Sequence, residues 1–276
     1  MSEEHEHADS ASVRRTEWRA RESFSGDDLV SAEEPLEIRI GSMPVAVVMR
    51  TPGNDEELVR GFLITEAIAS FDQVATVKHC DTITDPDTEG NVARVTLREG
   101  VSVDLSCLQR NLYASSSCGV CGKASIDSAM RTAPPLEQRE PKVNVELLYS
   151  LPPKLKAAQQ GFSRTGGLHA AALFTSDGEL LVTREDVGRH NAVDKVIGYA
   201  SMQRWLPLHR HVLLVSGRVS FEITQKALAA RIGLLAAVSA PSSLAIALAE
   251  RAGVTLAAFL RDRRVVVYGD TSRVSG

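Results

Sequence analysis

No apolar run in this chain of 276 residues approaches the ~20 that a membrane-spanning helix needs. The start, Met1-Ser-Glu-Glu-His-Glu-His, lacks both a basic n-region and an apolar h-region, so no secretory leader is read there. A cytoplasmic location, where thiols stay mostly reduced, is the expectation. Basic surplus is missing too. The 31 Lys+Arg stand against 35 Asp+Glu, a net charge of −4, which leaves no whole-chain footprint of a nucleic-acid binder. Cysteine is scarce: Cys80, Cys107, Cys118 and Cys121 are the only four, and no disulfide framework is expected from them. There is no internal repeat, no Walker loop and no Gly-x-Gly-x-x-Gly fingerprint.

What is present is ordinary in bulk. Hydrophobic content of 43% and charged content of 24% suit a soluble globular protein of one large domain or two small ones. The unusual stretch is Ser115-Ser-Ser-Cys-Gly-Val-Cys-Gly-Lys123, which offers little apolar area to bury and reads as an exposed, mobile loop. Lys123 would favour the reactive thiolate of Cys118 or Cys121. Three readings fit this Cys-x-x-Cys. It could be half of a structural zinc site, but Cys80 and Cys107 supply no second close pair. It could be a dithiol redox motif, but no thioredoxin-like βαβ unit precedes it. It could be a sulfur carrier with one cysteine as persulfide nucleophile. The motif alone does not rank them.

Residues 1–12 read as a disordered tail, with His5 and His7 solvated. A strand fits within Val13–Phe24. Pro35–Ile40 alternates with period two, turns at Gly41-Ser42 and continues as Val45–Met49, a β-hairpin. A helix capped by Asn54 or Asp55 follows, then strands over Val74–Lys78 and Val92–Leu97. Thr132–Lys142, with three prolines, reads as an extended connector. Val145–Gln159 reads as a helix despite Pro152-Pro153. From there apolar strands alternate with helices: a hairpin about Ser176-Asp-Gly178, a helix over Asn191–Gln203, a strand from His211, a helix over Phe221–Ile232, and a strand over Leu234–Ser239. A helix over Ser242–Ala252 closes on Gly253, and two last strands end the chain. This is the pattern of an α/β sheet covered on both faces. The division expected is a tail to 12, an N-terminal α+β domain over 13–114, the mobile cysteine loop and connector over 115–142, and an α/β domain over 143–276.

Ligands of such sheets bind outside the carboxyl ends of the strands. Polar residues gather there: Asp186-Val-Gly-Arg-His-Asn191, Ser216-Gly-Arg218 and Ser239-Ala-Pro-Ser-Ser243. Arg189 and Arg218 suit phosphate, His190 titrates near neutrality, and Ser242 adds a hydroxyl. A helix-capping and salt-bridge cluster fits the same residues equally well. His169, in Thr165-Gly-Gly-Leu-His-Ala-Ala, is either a proton carrier facing the cysteine loop or a satisfied core histidine. His209 and His211 are expected at the surface, and Cys80 and Cys107 as small buried hydrophobes.

Taken in order, Pro35-Leu-Glu-Ile-Arg-Ile, Glu57-Leu-Val-Arg-Gly-Phe-Leu, Ser117-Cys-Gly-Val-Cys-Gly-Lys, Thr165-Gly-Gly-Leu-His-Ala-Ala, Glu185-Asp-Val-Gly-Arg-His-Asn-Ala-Val-Asp-Lys, Ser216-Gly-Arg-Val-Ser-Phe-Glu and Ser239-Ala-Pro-Ser-Ser-Leu-Ala resemble the formate dehydrogenase accessory sulfurtransferases, FdhD. The resemblance covers about residues 34–269. It implies a cytidine-deaminase-like fold for the C-terminal α/β domain beside the smaller N-terminal α+β domain. It also implies a sulfur carrier of the cytoplasm. A cysteine desulfurase would load sulfane sulfur onto Cys118, with Cys121 assisting. The persulfide sulfur would pass to the metal of bis(molybdopterin guanine dinucleotide), bound as substrate rather than as a resident cofactor, before insertion into formate dehydrogenase. The family's cofactor-binding segment falls on Phe259, Leu260, Arg261, Asp262, Arg263 and Arg264. A homodimer is implied as well. Deamination is not: no His-x-Glu follows the tail and no proline precedes Cys118, so a zinc deaminase's third ligand and general acid/base are missing.

Overall fold

The computed structural model of the protein describes residues 9–79, 90–103, 122–137 and 139–276. It opens with a ribbon of two antiparallel strands, β1 (Ser10–Arg19) and β2 (Glu22–Ser31), turning at Ala20 with φ 55. Strand β1 takes up the last three residues of the stretch expected to be a tail. The ribbon is also longer than the single strand expected from Val13, because its apolar residues do not alternate and so show no period of two. It stands out from the body, with Trp18 68% and Phe24 47% exposed. Its base is tied down by an Asp9–Arg164 ion pair and by Ser31 Oγ with Thr165 Oγ1 at 2.8 Å.

A four-stranded sheet follows in the order β4-β3-β6-β5. Strands β3 (Glu34–Ile40) and β4 (Met43–Arg50) form the expected hairpin about Gly41, whose φ is 62. Helix α1 (Asp55–Thr65) packs on this sheet, and β5 (Val74–His79) and β6 (Val92–Leu97) complete it. Leu36, Ile38, Val45, Leu58, Leu63 and Val95 form its buried core. Asn54 occupies the N-cap of α1 in the left-handed region and makes no side-chain cap bond. Asp55, Glu56 and Glu57 in the first turn favour the helix dipole instead.

Cys118 and Cys121 lie outside the described residues, as do Cys80 and Cys107. Right after Cys121 the chain forms helix α2 (Gly122–Thr132), where loop and connector were expected. The missed signal is Ile126, Ala129 and Ala133 at helical spacing, all buried against the main core. A short strand β7 (Val143–Asn144) precedes α3 (Val145–Ala158), which runs through Pro152-Pro153, and α4 (Gln160–Thr165).

The rest builds one six-stranded sheet ordered β13-β12-β11-β10-β8-β9. Its strands are β8 (His169–Thr175), β9 (Leu180–Asp186), β10 (His211–Val215), β11 (Leu234–Ala237), β12 (Thr255–Arg261) and β13 (Arg264–Gly269). β10, β11 and β12 run parallel, while β8, β9 and β13 are antiparallel to their neighbours. Helices α5 (Arg189–Met202), α6 (Phe221–Ala229) and α7 (Ser243–Ala252) link the strands. Alternation sorts the side chains. Ala171, Leu173, Leu213, Leu235 and Leu256 join a core with residues of α2, α5, α6 and α7. Ala172, Phe174, Leu214 and Leu234 join a second core with Leu148, Leu151 and Leu155 of α3. The sheet is therefore covered on both faces, as its apolar strands require. A 3-10 turn, Thr271–Arg273, leads to β14 (Val274–Ser275), parallel to β7. No described helix is long and apolar enough to cross a membrane.

The two sheets meet where α1 crosses α5. A Cβ on Gly61 would fall 1.9 Å from the Asp194 carbonyl oxygen, and one on Gly198 would fall 1.8 Å from that of Glu57. Only glycine allows this approach. Charge then bolts the crossing. Arg184 donates to both Glu57 oxygens at 2.5 and 2.7 Å. Lys226 Nζ reaches Asp194, Glu66 and Thr65 at 2.9, 2.8 and 3.0 Å. Burial pushes the Asp194 carboxyl up to about 6, against the pull of Lys226. Burial also works against the Lys226 ammonium, but Asp194 and Glu66 hold it above the ordinary lysine range.

Candidate functional site

Because β10, β11 and β12 are parallel, their carboxyl ends share one edge of the sheet. The start of β8 and the end of β9 lie there too, with His169 paired to Asp186 and Val215 to Ala171. Helices α5, α6 and α7 therefore begin at one edge, with N-caps Gly188, Ser220 and Ser242. The first-turn amides and three dipole ends favour an anion there, although Ser242 takes one amide of α7 for its own cap. The loops behind them are laced by main-chain bonds: Val219 N–H to Ala240 O at 3.1 Å, Ser242 N–H to Val219 O at 2.9 Å, and Phe259 N–H to Ser239 O at 3.1 Å.

The motif from Glu185 to Lys195 divides between two tasks. Glu185 accepts the backbone N–H groups of Gly161 and Phe162, both at 2.8 Å, and so caps α4. Asp186 is fully buried; it takes bonds from Gly188 N–H at 2.8 Å, Asn191 Nδ2 at 2.9 Å and Thr51 N–H at 3.2 Å, and pairs with Lys195 Nζ at 2.8 Å. Lys195 also donates to Thr51 O at 2.9 Å, and Asn191 to Met49 O at 2.7 Å. Asp186, Asn191, Asp194 and Lys195 thus hold the two sheets together, as the capping and salt-bridge interpretation has it.

Arg189 and His190 are the remainder. Arg189 opens α5, and its Nε is buried without a hydrogen-bond partner. His190 Nε2 lies 3.3 Å from Ser220 Oγ and 4.0 Å from Glu222 Oε2. Burial, with Arg189 and Lys226 nearby, brings the His190 imidazole down to about 4. His169 borders the same edge. Its Nδ1 would be 3.3 Å from a Cβ on Gly217, which would lie 3.8 Å from Arg189 Cβ. Burial, then Arg189 and Arg218, lower its pKa, so it sits half-buried among cations rather than inside a core. His169, Ser220 and Glu222 are site residues that motif reading left open or missed. The signal was Ser216-Gly-Arg-Val-Ser-Phe-Glu, whose second half opens α6.

The other sequence-derived residues scatter more. Arg218 is exposed at the edge, and Ser242 accepts from Ala245 N–H at 3.2 Å as a helix cap. Ser216 spends its Oγ on Ala170 N–H at 2.9 Å. Phe259 takes φ 55 at a bulge in β12, and Arg264 lies over its ring at 5.4 Å. A bulky residue in that region is strained, a mark of sites that need a particular shape. Asp262 and Arg263, at φ 50 and 54, turn β12 into β13. Arg261 and Arg264 face each other across this turn, both exposed. Arg263 instead turns to α3, bonding Glu146 at 2.6 Å and covering Tyr149 at 5.3 Å. Leu260 is fully buried in the core under α3, so its side chain packs and does not line a ligand surface. His211, expected at the surface, is partly buried and stacks on Trp205 at 6.3 Å.

The edge therefore offers helix amides, guanidinium groups and two imidazoles kept neutral: a set suited to a phosphate-bearing ligand. Among the described residues no three His, Cys, Asp or Glu side chains gather to hold a metal ion.

Comparison with known proteins agrees in extent with this architecture. The FdhD/NarQ family profile matches residues 31–275. A Streptomyces coelicolor protein named Sulfur carrier protein FdhD is 52% identical over 252 residues, 90% of this chain and 89% of the relative. Relatives of the same name from Mycolicibacterium paratuberculosis and Sulfurisphaera tokodaii are 49% and 44% identical, covering 95% and 90% of this chain and 97% and 92% of their own. A crystal structure from Desulfotalea psychrophila, described as a formate dehydrogenase accessory protein, superposes with TM-score 0.76 at 23% identity, over 96% of this chain and 99% of that one, and shows a shared fold.

Proposed function

This chain belongs to the FdhD/NarQ family, and on that premise we propose that it is a sulfur carrier serving formate dehydrogenase. Cys118 takes sulfane sulfur from a cysteine desulfurase and holds it as a persulfide, with Cys121 assisting. The acceptor is the metal of bis(molybdopterin guanine dinucleotide), bound as cargo and next inserted into formate dehydrogenase. In the hand-over the persulfide S–S bond breaks, its electron pair stays on Cys118 as thiolate, and the metal supplies two electrons to the departing sulfur. The setting is the cytoplasm, and the working form a homodimer.

The observation that supports this reading is the convergence of three helix N-termini with Arg189 and Arg218 at one sheet edge. The cargo carries two pyrophosphates, and burying such charge is costly unless it is paired. Arginine's planar fork matches phosphate oxygens. Arg261 and Arg264, beside Phe259, extend the basic surface. Guanosine diphosphate, as a partial mimic, is expected to bind on the order of micromolar to millimolar. It should bind more tightly than adenosine diphosphate, because the wrong base leaves buried polar groups unpaired. Equal affinity in calorimetry would sink the guanine readout.

The carrier step is tested by incubating the chain with a desulfurase and cysteine and reading persulfide by mass spectrometry, on the wild type and on Cys118→Ala and Cys121→Ala. Persulfide lost only with Cys118 supports the reading. No persulfide on any cysteine would leave a non-catalytic cofactor chaperone. Stoichiometric zinc in the purified protein would favour a structural metal site.

A further inference from the structure

Resting on the interpretation of this edge as an anion site, we propose that His190, clamped through Nε2 by the first turn of α6, couples ligand binding to protonation: it is neutral in the free protein and takes up one proton when a pyrophosphate-bearing ligand binds. Ser220 and Glu222 are its positioning residues.

The geometry sets this up. Ser220 is the N-cap of α6, yet its hydroxyl makes no capping bond; it lies 3.3 Å from His190 Nε2. Glu222, two residues on, brings a carboxylate oxygen to 4.0 Å of the same nitrogen. His190 is the second residue of α5, so its ring bridges the N-termini of α5 and α6, where a bound anion would sit. The charged groups facing it are Arg189 on its own helix, Lys226 and Glu222 on α6, and Glu66 just after α1. Without a ligand, burial and the two cations prevail over the two carboxylates, and the imidazole stays neutral down to about 4.

A ligand pyrophosphate reverses that balance, because negative charge beside Arg189 favours the imidazolium. The sign follows directly. The bound-state pKa lies above the free-state one, so protons are taken up between the two values and not well above or below them. Within that window affinity rises as pH falls, by at most tenfold per pH unit for one proton. Glu222 supports the imidazolium. Glu222→Gln should therefore move the free His190 value further down and shrink the uptake. The Glu222 side chain is 58% exposed, so the change leaves the fold standing.

Two measurements decide the matter. The first follows His190 by NMR titration in the free protein, its signal assigned by loss in His190→Gln. A midpoint well below the usual histidine range, lowered further by Glu222→Gln, is expected. A midpoint near 6.5, or one that Glu222→Gln leaves in place, overturns the clamp whatever the ligand does. The second is calorimetry with guanosine diphosphate and with inorganic pyrophosphate at about pH 5.5 and pH 8, in buffers of different ionisation enthalpy. At the lower pH the wild type should take up more protons than His190→Gln, in which only the probe's own phosphate exchanges a proton, and at the higher pH the two should agree. Equal proton exchange in the wild type and His190→Gln at the lower pH overturns the coupling. If neither probe binds at any pH, the anion site itself fails and the coupling with it, while the NMR result still judges the clamp alone.

Discussion

Adding one methyl group at Gly61 should cost the protein several degrees of thermal stability. Its Cβ would stand 1.9 Å from the Asp194 carbonyl oxygen, 2.5 Å from the carbonyl carbon and 2.9 Å from Cα. That is roughly 1.5 Å short of ordinary contact, and every obstacle is main chain, which no rotamer change can clear. Helices α1 and α5 must separate, and the bolts across them lengthen: Arg184 to Glu57, Thr65 to Asp194, and Lys226 to Glu66 and Thr65. Overpacking costs about 1–3 kcal/mol, here at the upper end, and one weakened buried hydrogen bond adds about 1–3 kcal/mol. Alanine returns about 1 kcal/mol of helix propensity. The net loss is about 3–5 kcal/mol, or roughly 6–20 °C in Tm for a chain of this size. Gly198→Ala should behave alike, since its Cβ would meet Glu57 O at 1.8 Å. The double variant should lose less than the two losses together, because one separation relieves both clashes. Gly26→Ala, with nothing within 4 Å, is the control and should shift little. Calorimetric or circular-dichroism melts read the effect. A Gly61→Ala protein melting at or above the wild type would refute the crossing as described.

Asp186→Ala should lose about 3–5 kcal/mol in urea unfolding, because the buried Lys195 ammonium is left without its carboxylate; a loss below about 1 kcal/mol would show that the pair is not desolvated. Leu260→Ala should cost about 2–5 kcal/mol in the same assay, while the folded fraction keeps its affinity for guanosine diphosphate; a selective loss of affinity would return Leu260 to the ligand surface. At Phe259, glycine fits φ 55 and a β-branched residue does not, so in thermal melts Phe259→Gly should prove more stable than Phe259→Val, and the reverse order would contradict the strain. Cys118→Ala should leave the melting temperature unchanged and abolish formate dehydrogenase maturation in a reconstituted assay; an active dehydrogenase matured by that variant rejects the carrier role.

The order of the C-terminal elements was legible because its strands are nearly unbroken apolar runs and its helices are punctuated by residues such as Gly253. β9, β10 and β11 run in one direction, so finding polar residues after each of them was enough to place Arg189, His190 and Arg218 together. Direction within the motif was not legible. Asp186, Asp194 and Lys195 have the composition of a site and face the other sheet, and only the approach of α1 decides that. The ribbon escaped because neither of its faces is consistently apolar, and α2 because its stripe of Ile126, Ala129 and Ala133 adjoins a polar, serine- and glycine-rich stretch of sequence. Leu260 came with the whole segment that the resemblance implies, and a segment taken entire does not separate the side chain that packs under α3 from those that stay exposed. The left-handed turn at Asp262-Arg263 carries no glycine to announce it.

The stretch from Glu185 to Lys195 has a consequence for genetics. A scan of substitutions scored by dehydrogenase activity would find almost every position in it intolerant, and the map would look like one continuous active site. Two causes are superimposed there. Variants of Asp186, Asp194 and Lys195 fail because less protein folds, so lower growth temperature or a stabilising change elsewhere should rescue them, and the abundance of the protein should fall along with activity. If Arg189 and His190 serve the proposed anion site, their variants should accumulate normally and no such suppressor should help. Abundance measured beside activity should therefore split the motif into its two inheritances, one owed to assembly and one to the proposed anion site.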